Sequence, residues 1–239
     1  MVVKKKRENT SLKSETKITF RSHQIINMVK GRKKAAGVEP ITGLITFGGL
    51  VRQVFQQAKA DNPYADFYLL MCEERIQAVR EFIQRETVEI DAKLMSNKFL
   101  QFNEVHVDDP FILDASFATP YAYQVAYLML AADDLICKLL QATHVAMIPK
   151  SESGDKIRGV SKRLRGLFAS FNSWKLVVVT RDDMKLGNKR AERAIETFGS
   201  MKLPEAVLSG ELRGDYAPDI KVNETEVVTV SATEEAVVV

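Results

Sequence analysis

Three residues near the N-terminus alternate in a way that suits contact with the edges of DNA bases. Lys17, Thr19 and Arg21 are separated by Ile18 and Phe20, so a β-strand would place the polar side chains on one face and the apolar ones on the other. Lysine and arginine donate to guanine O6 and N7, and threonine bonds a base or touches a thymine methyl group. The pattern predicts a base-reading strand, although a polar face of this length is also typical of an ordinary exposed edge strand.

The charge distribution favours a polyanionic partner at the same end of the chain. Residues 1–34 hold eleven Lys or Arg and two acids, a net charge of +9, whereas the whole chain carries only +3. From residue 215 onward there are six acids and one lysine. Such asymmetry indicates a nucleic-acid or other acidic partner for the basic segment.

Local patterns place the strand ahead of two helices. Thr16–Arg21 alternates as a half-buried strand, and Ser22 is a suitable N-cap for a helix that runs through the basic residues Lys30–Lys34. A second helix is predicted from its N-cap Thr42 to about Ala60. A strand followed by two helices can contribute to a two-stranded β-ribbon, a shape that the major groove of DNA admits.

Phosphate contacts are expected from the basic residues around the strand and from the free N–H groups at the start of the second helix. The candidates are Lys4, Lys5, Lys6, Arg7, Arg32, Lys33, Lys34, Thr42 and Gly43. Because one chain supplies only one such strand, the ribbon is expected to need a second chain. A homodimer on a two-fold symmetric DNA site follows from that expectation.

The remaining sequence predicts a larger, mainly helical domain. Asp61–Asp66 reads as a helix boundary with caps and a proline in the first helical position. Two short strands are expected around the turn at Asp108–Pro110, and an apolar helix from Tyr121 to about Thr143. Asp133 and Asp134, two acids inside that helix, require basic partners, and residues 158–165 are candidates.

These patterns predict an α+β, mainly α-helical fold with four parts. They are a basic flexible arm (1–15), a strand-helix-helix DNA-binding module (16–60), a mainly helical domain with a few short strands (61–200) and an acidic flexible tail (201–239). Scattered histidines and two cysteines inside apolar stretches give no metal-ligand spacing, and no nucleophile or phosphate-loop motif is present. No catalytic residue, metal, cofactor or membrane span is expected, and the chain is predicted to be cytoplasmic.

Short motifs within residues 16–200 resemble a family of proteins of conjugative plasmids and integrating conjugative elements. The motifs are Gly31-Arg32, Ile41–Leu44, Asp61–Asp66, Leu69-Leu70 with Glu73, and Thr119–Ala122. The chain resembles the AcaB-type ribbon-helix-helix transcriptional activators of IncC conjugative plasmids, which implies a ribbon-helix-helix fold for residues 16–60. This resemblance implies transcriptional activation of conjugation genes, and it places the DNA-contacting strand on Lys17, Thr19 and Arg21. Typical ribbon-helix-helix proteins are much shorter, so residues 61–200 are an elaboration that the motif does not explain.

The leading hypothesis is therefore a homodimeric, sequence-specific regulator that binds promoter DNA. Its helical domain would mediate dimerisation or contact with RNA polymerase. One alternative is a non-catalytic accessory or scaffold protein of a conjugation system, in which the arm merely binds acidic surfaces. Another is non-specific coating of nucleic acid during transfer.

Overall fold

Helices dominate the computed structural model, which describes residues 16–33, 35, 39–96, 107–199 and 201–221. The elements in chain order are β1 (Thr16–Phe20), α1 (His23–Lys30), α2 (Leu44–Lys59), α3 (Pro63–Ser96), β2 (Phe111–Ala115), α4 (Pro120–His144), α5 (Lys150–Ala169), α6 (Arg181–Leu186), α7 (Lys189–Phe198) and α8 (Glu205–Ser209). The predicted fold class, α+β and mainly helical with a short N-terminal sheet, is confirmed.

The long helices α3 and α4 pack against each other, and α2 and α5 pack against both. On α3 the buried apolar residues recur at helical spacing, as in Cys72, Ile76, Val79 and Ile83. The same hydrophobic cluster contains Ile18 and other residues of β1, α1 and α2. Residues 16–60 and residues 61–200 are predicted to be separate domains, but their apolar residues share one core.

The turn between α1 and α2 differs from the prediction. Helix α1 ends at Lys30 and does not run through Lys34, because Gly31 adopts a positive φ of 66°. Gly43 precedes α2 and packs against Gly31 so closely that a Cβ on Gly43 would lie 2.5 Å from the Gly31 nitrogen. The N-cap of α2 is consequently Gly43 and not Thr42.

The Asp61–Asp66 block forms the start of α3, as predicted, and also anchors distant parts of the chain. Pro63 is the first residue of the helix, and the Asn62 side chain accepts hydrogen bonds from two backbone N–H groups of the first turn. Asp66 is fully buried and binds Arg181 at 2.6 Å. Arg213 donates to both Asp66 carboxylate oxygens, at 2.9 and 3.0 Å.

The C-terminal segment begins as an ordered part of the fold, in contrast to the flexible tail expected from residue 201. Residues 201–221 include α8, which packs on α3. The backbone N–H groups of Asp215 and Tyr216 donate to the Glu73 carboxylate. Together with Arg213, these contacts fix the segment along the N-terminal half of α3. The tail beyond residue 221 lies outside the described residues.

Candidate nucleic-acid interface

The predicted base-reading strand is one half of a two-stranded antiparallel ribbon. β1 pairs with β2 in a register that sets Lys17 opposite Asp114 and Thr19 opposite Ile112. Ile18 and Phe20 point into the hydrophobic core, whereas Lys17 and Thr19 are exposed. The alternation predicted for this strand is therefore confirmed.

Both strands of this ribbon come from the same chain, which corrects the expectation that a second chain must supply the partner. A short strand is predicted after the turn at Asp108–Pro110, but no local pattern pairs it with β1, about ninety-five residues earlier. The sheet has two strands in the described part of the chain. One edge of β1 is therefore bonded to β2, while its opposite edge carries no described strand.

The solvent face of the ribbon has little net charge of its own. Lys17 and Asp114 face each other across the ribbon, beside Thr19 and Ile112. The Ile112 side chain is large, apolar and 55% exposed. It contributes contact area to this face but no charge. The strand β2 thus adds two residues, Ile112 and Asp114, that the sequence analysis did not include in the site.

Arg21 lies beyond the end of β1 and faces the protein, in contrast to the predicted reading position. Its guanidinium donates to Asp134 at 3.1 Å and to Asp133 at 3.4 Å, and its backbone N–H donates to Asp133 at 2.9 Å. Partial burial by itself lowers the pKa of Arg21, but the hydrogen bonds to Asp134 and Asp133 outweigh it and raise that pKa overall. Arg21 therefore anchors the ribbon to α4.

Asp133 fixes the corner between β1 and α1. One carboxylate oxygen accepts the Ser22 N–H at 2.8 Å and the Ser22 hydroxyl at 2.5 Å, and the Ser22 hydroxyl accepts the Ile25 N–H at the start of α1. The prediction that Asp133 and Asp134 have basic partners is confirmed. However, Arg21 and Lys138 are those partners, and not residues 158–165.

The expected phosphate-contacting residues are divided by the structure into three groups. Lys33 is exposed, and Arg32 is exposed while its guanidinium donates to the Glu39 carbonyl oxygen. The Thr42 hydroxyl donates to the Asn172 side chain at 2.8 Å, and Gly43 is buried. The remaining candidates, Lys4, Lys5, Lys6, Arg7 and Lys34, lie outside the described residues.

A second basic surface, which the sequence had treated only as part of a helix, lies between α3 and α5. Arg75, Lys162 and Arg163 line a groove of about 380 Å³. The Arg163 guanidinium lies 3.6 Å from the centre of the Phe82 ring. Arg75 lies almost ninety positions before Lys162 and Arg163 in the sequence. Only the packing of α3 against α5 shows that the three residues form one surface.

Other kinds of site find little support in the part of the chain that the structure describes. No cluster of His, Cys, Asp or Glu side chains there is arranged to hold a metal ion. None of its helices is long and apolar enough to cross a membrane.

Comparisons with known proteins agree with this fold. A family model described as the transcriptional regulator AcaB matches residues 8–221. The crystal structure of selenomethionine-containing AcaB from uropathogenic E. coli is similar, with a TM-score of 0.51 and 13% identity over 83% of this chain and 95% of that chain. No curated protein matches the sequence. The structural likeness supports the fold, and the family match covers most of the chain. The chain therefore belongs to the AcaB family of transcriptional regulators.

Proposed function

We propose that the protein is a sequence-specific DNA-binding activator of conjugative transfer genes that inserts the β1–β2 ribbon into the major groove. The observation that carries this proposal is the outward display of Lys17 and Thr19 on a strand whose other face is anchored in the core. A two-stranded ribbon fits the major groove, and these two side chain types bond base edges there. The protein acts without catalysis, in the cytoplasm, on promoter DNA.

Arg21 has a positioning role in this proposal. Its bonds to Asp133 and Asp134 hold the C-terminal end of β1 against α4, so the ribbon reaches DNA as a rigid unit. Base reading on β1 is consequently assigned to Lys17 and Thr19. Ile112, directly opposite Thr19, supplies an apolar surface for a thymine methyl group.

Non-specific affinity is assigned to the basic residues around the ribbon. Lys33, Arg32 and Lys34 follow α1, and Lys4–Arg7 precede β1. Contacts between such residues and phosphates release counterions and raise affinity without reading sequence. Thr42 and Gly43 contribute by fixing the turn before α2, since one is bonded to Asn172 and the other is buried.

A homodimer remains part of the proposal, with a different geometry from the one first expected. Because each chain supplies a complete β1–β2 ribbon, two chains related by a two-fold axis would each place one ribbon in the major groove. Such a dimer binds two half-sites related by symmetry. RNA polymerase is a natural further partner for an activator of this kind, through surfaces of the helical elements.

The proposal is tested with DNA selected from a randomised duplex pool by repeated binding to the full-length protein. Affinity for the selected duplex and for a scrambled duplex is then measured over a salt series. Lys17→Ala and Thr19→Ala should each weaken binding to the selected duplex by about 1–3 kcal/mol and leave the scrambled duplex almost unaffected. Lys185→Ala, at an exposed lysine on α6, is the matched control.

Two results would refute base reading by β1. One is unchanged discrimination in both strand variants. The other is failure of the pool to enrich any sequence, which would favour the alternative of an accessory protein that binds acidic surfaces without specificity.

A further inference from the structure

A large open cleft with an acidic lining lies between α3, the start of α4 and the C-terminal segment. Its volume is about 960 Å³, within the range of ligand-binding clefts. Glu73, Glu74 and Asp215 line it, with Arg80 as the basic lining residue among those described. We call this the acidic cleft.

The carboxylates of the acidic cleft differ in what they bind. Glu73 is occupied by the Tyr121 hydroxyl and by the backbone N–H groups of Asp215 and Tyr216. Glu74 and Asp215 are exposed, and neither carboxylate forms an ion pair with a described residue. The cleft therefore holds two negative charges that are available to a cationic occupant.

Aromatic rings form another wall of the acidic cleft. The Phe117 and Tyr123 ring centres lie 5.3 Å apart, and those of Tyr123 and Tyr127 lie 6.4 Å apart. Tyr127 is 56% exposed. Aromatic faces beside carboxylates favour lysine and arginine side chains, whose stems pack on the rings while their charged groups meet the acids. A basic peptide thus matches both the charge and the aromatic wall of the acidic cleft.

The chain's own N-terminal arm begins beside this cleft. Thr16, the first residue of β1, pairs with Ala115, the last residue of β2. Phe117 and Ala118, which lie two and three residues beyond Ala115, line the cleft, so the point at which the arm joins the fold is close to the cleft. Residues 1–15 hold five Lys or Arg and two acids. Ten extended residues span roughly 33 Å, which is ample to cross such a cleft.

We propose that the basic arm, residues 1–15, docks in the acidic cleft of its own chain, with its cations at Glu74 and Asp215. Docking removes Lys4–Arg7 from the positive surface that DNA meets. In this respect the inference rests on the proposed function: DNA and the acidic cleft compete for one arm. The docking itself requires no DNA.

Docking is tested on the full chain with a nitroxide label on Lys5→Cys. Burial raises the pKa of Cys72 to about 12 and of Cys137 to about 11, so both native cysteines stay protonated and the label reacts with the introduced cysteine. Line broadening is then measured on the six tyrosines. Tyr123 and Tyr127 should broaden at least threefold more than Tyr64 and Tyr68, which pack against Phe198.

A charge-neutral cleft provides the second measurement. Glu74→Gln with Asp215→Asn should reduce the broadening at Tyr123 and Tyr127 by at least half, whereas the control Asp155→Asn, at an exposed acid on α5, should leave it unchanged. Equal broadening of all tyrosines, or broadening indifferent to the cleft charges, would overturn the inference. So would broadening that arises only between labelled and unlabelled chains in a mixed sample, since the arm would then belong to a second copy.

Duplex DNA separates this inference from the proposed function. If both hold, adding the selected duplex relieves the broadening at Tyr127. If the protein has no specific DNA site, the DNA-free broadening persists and the inference stands alone. If DNA binding is specific while the labelled arm leaves Tyr123 and Tyr127 no broader than the reference tyrosines, only the docking is refuted.

Discussion

The charges at Asp66 and the charges on the β1–β2 ribbon illustrate two uses of polar residues in one fold. Asp66 is fully buried and bonded to Arg181 and Arg213. Its charge is therefore paired inside the protein and does not contact a ligand. Lys17, by contrast, projects from a strand whose opposite face is fixed in the core. The buried ion pairs of Asp66 stabilise the fold, whereas the exposed charge of Lys17 is free to contact a ligand.

The largest effect is expected at the buried site. Asp66→Ala leaves the Arg181 guanidinium, which is 5% exposed, without its main partner. We expect this to lower the free energy of unfolding by about 3–5 kcal/mol, since breaking a buried ion pair strands one charge. Chemical denaturation measures the loss. Asp155→Ala removes an exposed pair with Arg158 and should change stability little. A comparable loss in that control would contradict the distinction between the two sites.

Arg21 lies between these two cases and separates positioning from reading. Arg21→Ala removes the side-chain hydrogen bonds to Asp133 and Asp134. We expect the free energy of unfolding to fall by about 1.5–3 kcal/mol, the range for hydrogen bonds to charged groups. The loss is smaller than at Asp66 because Ser22 and the Arg21 backbone N–H still donate to Asp133. Lys17→Ala should leave the midpoint of thermal unfolding unchanged. If Arg21→Ala instead preserved stability and abolished sequence discrimination, Arg21 would be a reading residue after all.

The smallest effect is expected at the phosphate-contacting residues. Lys33→Ala should weaken binding to selected and scrambled duplexes equally and reduce the slope of log affinity against log salt by about one. Lys162→Ala, in the groove between α3 and α5, is the comparison, and it should leave the slope unchanged if only the surface around the ribbon meets DNA. Equal slope changes in the two variants would extend the DNA-binding surface to that groove.

Local patterns in the sequence were sufficient for much of the fold. Alternation identified β1, and proline with polar caps located the start of α3, because these signals depend on neighbours within a few residues. Residues 181–198 form two short helices, α6 and α7, because Gly187 adopts the left-handed conformation and Asn188 caps the second helix.

The contacts that define the candidate site could not be read from local patterns. The pairing of β1 with β2 joins residues about ninety-five positions apart, and Arg21 meets Asp133 across 112 positions. The position of Asp133 and Asp134 inside an apolar helix predicts basic partners. Their spacing does not distinguish Arg21 from the more numerous basic residues of α5. Alternation likewise could not show that Arg21 falls after the strand ends at Phe20.

Protection of guanine N7 from methylation by dimethyl sulfate tests the central claim most directly, because N7 is exposed in the major groove. On the selected duplex at saturating protein, the wild-type chain should protect guanines in each half-site. Lys17→Ala should lose protection at the guanine that Lys17 contacts, while Lys33→Ala keeps the full pattern. An identical protection pattern for Lys17→Ala and wild type would contradict base reading by the ribbon.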